Sequence, residues 1–209
     1  MIPVNVLAVR YLANASPALA KGLGAPAGMP SLGLLTTDCD DATYIALDAA
    51  TKAADVQVSF GRSFYAGAAN ASTPNAGEVI GVLAAATPGA VRSGMEAALS
   101  ALERLGFEET HGVPFLAHTV ASVGSFLAKE AGVPIGSAIA YLIAPPLEGM
   151  YAMDAALKAA DVKLCKLYAP PSETNFGGGL LSGTQSACEA ACAAFAAAVA
   201  EVAKQPLEK

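Results

Sequence analysis

The sequence predicts an α/β protein built from two tandem copies of one strand–helix unit, and three observations carry that prediction. Asp48-Ala49-Ala50-Thr51-Lys52-Ala53-Ala54-Asp55-Val56 recurs as Asp154-Ala155-Ala156-Leu157-Lys158-Ala159-Ala160-Asp161-Val162, changing only at Thr51/Leu157. Upstream, Leu19-Ala20-Lys21 with Gly24, Pro26 and Gly28 recurs at identical spacing as Leu127-Ala128-Lys129 with Gly132, Pro134 and Gly136. Downstream, Thr87 and Thr184 each stand before an alanine-rich amphipathic run, where a helix N-cap belongs. The blocks keep their order, so the chain divides near Gly106 into domains of residues 1–106 and 107–209, each of ordinary domain size.

In the first copy, residues 4–12 form an apolar strand, and 17–23 a short helix that Gly24 ends. Residues 32–37 make a second strand; 41–54 carry apolar positions at helical spacing. A third strand spans 56–60, followed by a loop at 61–77 rich in Gly, Ala, Asn, Ser and Pro. A fourth strand spans 78–84, and Pro88 opens the closing helix, which reaches residue 105. The second copy repeats this with strands near Phe115, Ala138, Val162 and Gly179 and helices near Phe126, Gly149 and Ser186. Its loop, residues 169–178, holds Pro170, Pro171 and the start of the run Gly177-Gly178-Gly179.

Composition narrows the function. With 54% hydrophobic residues the chain buries a substantial core, which excludes disorder. A net charge of -6 without a Lys/Arg cluster excludes a nucleic-acid partner. The longest uncharged stretch, residues 131–147, is broken by Pro134, Pro145 and Pro146, so no membrane span is expected there. The N-terminus lacks a basic segment and small-residue cleavage site, and four cysteines are too few for a disulfide framework; a cytoplasmic protein is expected. Only 14% of residues are charged, against about 25–35% on a typical soluble surface, so part of the surface is expected to be covered by copies of the chain.

Three further segments carry a resemblance: Asp38-Cys39-Asp40-Asp41-Ala42-Thr43-Tyr44-Ile45-Ala46, Gly61-Arg62-Ser63-Phe64-Tyr65-Ala66-Gly67-Ala68-Ala69 and Pro170-Pro171-Ser172-Glu173-Thr174-Asn175. Together with Ser31-Leu32-Gly33-Leu34-Leu35, they resemble bacterial-microcompartment shell proteins of the tandem-domain trimeric type, specifically the L type of the ethanolamine-utilisation compartment. The resemblance runs nearly end to end and implies two tandem, circularly permuted shell domains. Three chains would close a flat pseudohexagonal tile, a homotrimer that joins other shell proteins and passes a small polar metabolite such as ethanolamine. It implies a large central pore gated by two loops, one with Tyr65, Gly67, Asn70 and Asn75, the other with Asn175, Phe176, Gly177, Gly178 and Gly179. It implies small pores at Asp40, Asp41 and Glu78 with Phe107 and Thr174 nearby, and tile edges at Lys52 and Lys158. No cofactor, metal or reaction is implied. Three adjacent glycines depart from the family and predict a second gate loop at least as mobile as its relatives.

From the residues alone, Asp40 and Asp41 have two readings: caps for the helix they precede, or, with Asp38 and Glu78, a carboxylate cluster at strand ends that attracts an organic cation. Cys188 and Cys192 share a helical face but lack a sequence-placed third ligand, which favours buried thiols over a metal site. Cys39 is expected to be more exposed than these two, without a local base or cation to activate it. His111 and His118 lack a nucleophile signature around them. Lys52 and Lys158 read as solvated helix lysines where the resemblance does not assign them an edge. Two rivals to the shell role are an amine-binding sensor with loop lids, and an enzyme using Asp40, Asp41 and Glu78 as general acid and base.

Overall fold

A computed structural model of the chain describes residues 1–64, 77–170, 172 and 174–207. Its elements run β1 (Ile2–Pro3), β2 (Val6–Leu12), α1 (Pro17–Gly22), β3 (Ser31–Thr37), α2 (Asp40–Ala53), β4 (Gln57–Ser63), β5 (Val79–Ala85) and α3 (Pro88–Leu102). They continue with β6 (Gly106–Thr110), β7 (Val113–Val120), α4 (Ser125–Ala131), β8 (Ala138–Ala144), α5 (Pro146–Ala159), β9 (Val162–Tyr168), β10 (Gly177–Gly183) and α6 (Gln185–Lys204).

The chain forms two compact units. One comprises Pro3–Leu105 with Gly124–Leu127; the other comprises Met1–Ile2, Gly106–Val123 and Ala128–Lys209. We call them the first and second units. The first holds a four-stranded sheet in the order β2-β3-β5-β4; the second holds β1-β6-β7-β8-β10-β9. The last four strands of the second sheet repeat the order of the first, and the described pairings are antiparallel in both. Even the irregularity is duplicated: β4 bulges between Val58 and Phe60, and β9 bulges opposite Leu180/Leu181.

Each sheet is covered by a helix pair, α2 with α3 and α5 with α6. Leu35, Leu47, Leu83 and Met95 are fully or almost fully buried in the first unit; Leu142, Met153, Leu181 and Phe195 are so in the second. Gly81 sits where a Cβ would strike Leu47, and the equivalent Gly179 sits against Met153, so helix and sheet interlock in the same way twice. Thr87 and Thr184 accept from Ala90 and Ala187 N–H as the sequence predicts. Helix α6 is long and apolar enough to cross a membrane. In this chain it packs into the second unit's core through Cys188, Ala191, Cys192, Phe195, Ala198 and Val199.

The structure differs from the sequence reading in two respects. Strands β1 and β6 lacked a recognised signal; β6 reaches β7 through the two-residue turn His111-Gly112, both with positive φ (48° and 81°), the geometry that matches strand twist. The second difference concerns Gly177, Gly178 and Gly179, which lie in β10, buried and paired with Ala144, Ile143 and Leu142, and not in a mobile loop. Close approach explains the glycines: a Cβ on Gly178 would stand 1.9 Å from the Leu142 carbonyl oxygen, and one on Gly179 2.3 Å from that of Lys166.

Candidate functional site

The carboxylates named by the sequence gather where β3 enters α2. The N-cap of α2 is Cys39, without a side-chain cap bond, so neither aspartate caps the helix; both lie in its first turn, where negative charge meets the helix dipole. Asp40 Oδ1 accepts the Asp41 N–H at 2.9 Å, and both residues are buried. Glu78, half-buried before β5, donates its N–H to Thr37 O at 2.9 Å, while its own carbonyl accepts the Phe64 N–H at 2.9 Å. Those backbone bonds hold Glu78 beside the strand end that carries Asp38. Asp38 itself is tied to Asn5, accepting its N–H at 2.8 Å and its Nδ2 at 2.7 Å.

Proximity is written in the protonation of these groups. Burial raises Glu78 to about 7, and the charges of Asp40 and Asp38 add to the rise. Burial likewise raises Asp40 above the usual carboxylate range, partly offset by a hydrogen bond from Ser63, whose Oγ also meets Tyr44 Oη at 2.5 Å. Cys39 is half-buried, more exposed than the buried Cys188 and Cys192; burial and then the Asp41, Asp40 and Glu78 charges push its thiol upward, so it stays protonated. The cluster is therefore short of positive charge at neutral pH, and an ammonium group would both pair with it and restore ionisation.

The remaining named residues fall elsewhere. Phe107 and Thr174 belong to the second unit, where Phe107 meets Phe176 edge to face at 5.6 Å between centroids. Asn175, at φ 63°, turns the chain before β10, and Ser172 Oγ donates to Phe176 O at 2.6 Å. That loop thus has an apolar anchor. Tyr65, Gly67, Asn70 and Asn75 lie outside the described residues. Lys52 pairs with Asp48 at 3.5 Å and Lys158 with Asp154 at 2.5 Å, each along its own helix. Cys188 and Cys192 are core thiols; Thr119 Oγ1 lies 3.3 Å from Cys192 Sγ, and burial raises Cys192 to about 11. Among the described residues no group of three or more His, Cys, Asp or Glu is arranged to hold a metal.

One structural residue escaped the sequence reading. Asp48 is fully buried and accepts N–H groups from Gly124 at 2.7 Å and Leu127 at 2.8 Å, closing the start of α4 from another helix. A signal existed: α4 begins after Gly124, which has no capping side chain, whereas α1 begins after Ser16, which caps itself.

A family model described as the BMC domain matches residues 31–115. Over 99% of this chain and 97% of the relative, the sequence is 56% identical to the bacterial microcompartment shell protein EutL of Clostridium perfringens. It is 46% identical to EutL of Escherichia coli over 100% and 97%. The chain belongs to the EutL family of bacterial microcompartment shell proteins. The crystal structure of ethanolamine utilization protein EutL from Leptotrichia buccalis superposes with a TM-score of 0.95 at 55% identity, covering 100% of this chain and 98% of that one. A trimeric microcompartment shell protein, PduB, shares the fold alone, at a TM-score of 0.81 and 19% identity over 96% and 89% of the two chains.

Membership establishes the protein as a structural component of a microcompartment shell within the bacterial cytoplasm, not an enzyme, that assembles with other shell proteins.

Proposed function

We propose that the chain forms a homotrimeric, pseudohexagonal shell tile whose two shell domains, residues 1–106 and 107–209, are tandem and circularly permuted copies. The carrying observation is the duplicated strand order β2-β3-β5-β4 and β7-β8-β10-β9, bulge included, in a member of this family. Six similar units close a ring when three such chains meet by cyclic symmetry. The carboxylates Asp40, Asp41 and Glu78 line a small pore that admits a protonated amine such as ethanolamine. The turn at Asn175 and Phe176 flanks the larger, gated opening, and Lys52 and Lys158 stand at tile edges.

A pore must release what it admits, so binding near the millimolar level, about -4 kcal/mol, suits this role better than a sensor's tight grip. Ethanolamine titrated into wild type and Glu78→Gln, with an uncharged diol as control, tests the pore. Weak amine binding reduced by the variant is expected. Equal amine binding by both proteins, or preference for the diol, removes these carboxylates from the pore.

A further inference from the structure

Behind the carboxylates of the first unit stands a relay of hydroxyl groups. Ser63, the last residue of β4, hydrogen-bonds Asp40, and its Oγ lies 2.5 Å from Tyr44 Oη on α2. An ionised carboxylate can only accept, so Ser63 spends its single hydroxyl proton on Asp40. The contact between Ser63 and Tyr44 then has one possible donor, the Tyr44 hydroxyl. Donation runs from Tyr44 to Ser63 to Asp40, and each bond polarises the next.

The fold makes room for this arrangement. Gly61 lies two residues before Ser63 on the same face of β4, and a Cβ there would stand 3.3 Å from Tyr44 Cε1, so the ring crosses the strand where no side chain obstructs it. Phe126, on the arm of residues 124–127 whose N–H groups Asp48 accepts, meets the same ring at 5.8 Å between centroids. Arg62, the cation next to Ser63 in sequence, is placed over the Phe60 ring at 5.8 Å.

The second unit serves as an internal control. Gly61 pairs with Gly81 as Leu167 pairs with Gly179, which aligns Gly61 with Leu167, Ser63 with Ala169 and Glu78 with Phe176. Helices α2 and α5 begin at Asp40 and Pro146, eight residues before Asp48 and Asp154, which aligns Tyr44 with Met150. Carboxylates, hydroxyls and the accommodating glycine are thus replaced together, by side chains that neither ionise nor donate. Helix and sheet interlock without them, since Gly179 meets Met153 as Gly81 meets Leu47. The relay accompanies the carboxylates rather than the fold.

We propose that Ser63, oriented by Tyr44, is a positioning residue of the amine site that keeps Asp40 ionised and ready to receive a cation. Asp40 needs such help: it is 7% exposed, and the titratable groups around it are Cys39 and Asp41 on either side in the chain and Glu78 before β5, with Asp38 acting on Glu78 in turn. Burial raises Asp40, and the Ser63 hydrogen bond opposes that rise ahead of the N–H groups of Asp41 and Asp40 itself.

That role rests on the amine pore proposed above, and ethanolamine titrations followed by NMR from about pH 6 to about pH 9 test the two separately. Affinities are taken relative to wild type at each pH, so the protonation of the amine itself cancels, and circular dichroism melts check each fold. Ser63→Ala should bind about 10-fold more weakly at the acid end, the size of one hydrogen bond to a charged group, and approach wild type at the alkaline end, where Asp40 ionises unaided. Tyr44→Phe keeps the ring against Phe126 and should weaken binding in the same pH-dependent direction by about 2–3-fold. No binding by wild type, or equal binding by Glu78→Gln, overturns the amine pore. With carboxylate-dependent binding present, the relay alone is overturned by wild-type affinity in either variant, or by a Ser63→Ala loss of the same factor at every pH.

Discussion

Replacing Asp48 with alanine should cost the single chain about 4 kcal/mol, although the residue touches nothing that crosses a pore. The carboxylate is fully buried and satisfies two N–H groups at the start of α4, at 2.7 and 2.8 Å. Leaving a buried donor unpaired costs about 1–3 kcal/mol, so two donors give about 2–6, while the Lys52 pair, with the lysine 37% exposed, adds at most about 1. For a chain of this length that is a fall of roughly 8–16 °C in Tm. Asp48→Asn keeps one acceptor and should cost about half as much. Asp154→Ala, read on the dissociated chain, removes only an exposed pair worth about 0–1 kcal/mol. Urea unfolding of the three variants provides the comparison. A loss below about 1 kcal/mol for Asp48→Ala, or equal losses at Asp48 and Asp154, would refute the capping role.

Three other outcomes follow from the same reasoning. Glu78 is raised from its ordinary range to about 7 in the folded chain, so between about 4.5 and 7 the folded state holds more protons than the unfolded one. Its contribution therefore favours folding at the acid end and is lost as pH rises through about 7; Glu78→Gln should flatten that part of a stability profile, and an unchanged profile would contradict the assignment. Gly178→Ala places a Cβ 1.9 Å from Leu142 O and should destabilise by more than about 1 kcal/mol in thermal melts, whereas a loop glycine would tolerate it. Cys188 and Cys192 should resist alkylation until urea unfolds the chain, as read by mass spectrometry of labelled peptides.

What the sequence disclosed was whatever repeats or has local periodicity. The Asp48/Asp154 block, the glycine-bounded turns and the threonine caps placed most elements within a few residues, because those signals depend on near neighbours. Strand β6 was missed because its residues lack alternation and its turn, His111-Gly112, depends on two positive φ angles. Reading Gly177-Gly178-Gly179 as part of a mobile gate loop failed for a different reason: local freedom and tight packing select the same residue, and only the neighbours Leu142 and Lys166 distinguish them. In the candidate site, the convergence of Asp40, Asp41 and Glu78 could be anticipated from their places at strand ends. Asp48 was harder to read: Gly124 signals only that α4 needs an acceptor from elsewhere, and the repeat twin of Asp48 has the same local sequence and a different fate, because burial depends on which surface the arm of the other copy meets.

On the proposed reading, this shell protein assembles as a ring of three duplicated chains. Sedimentation equilibrium of the purified protein tests it most directly. The expected species has three times the 20.8 kDa chain mass and holds that value across the micromolar range. A single-chain or two-chain mass over that range would contradict it.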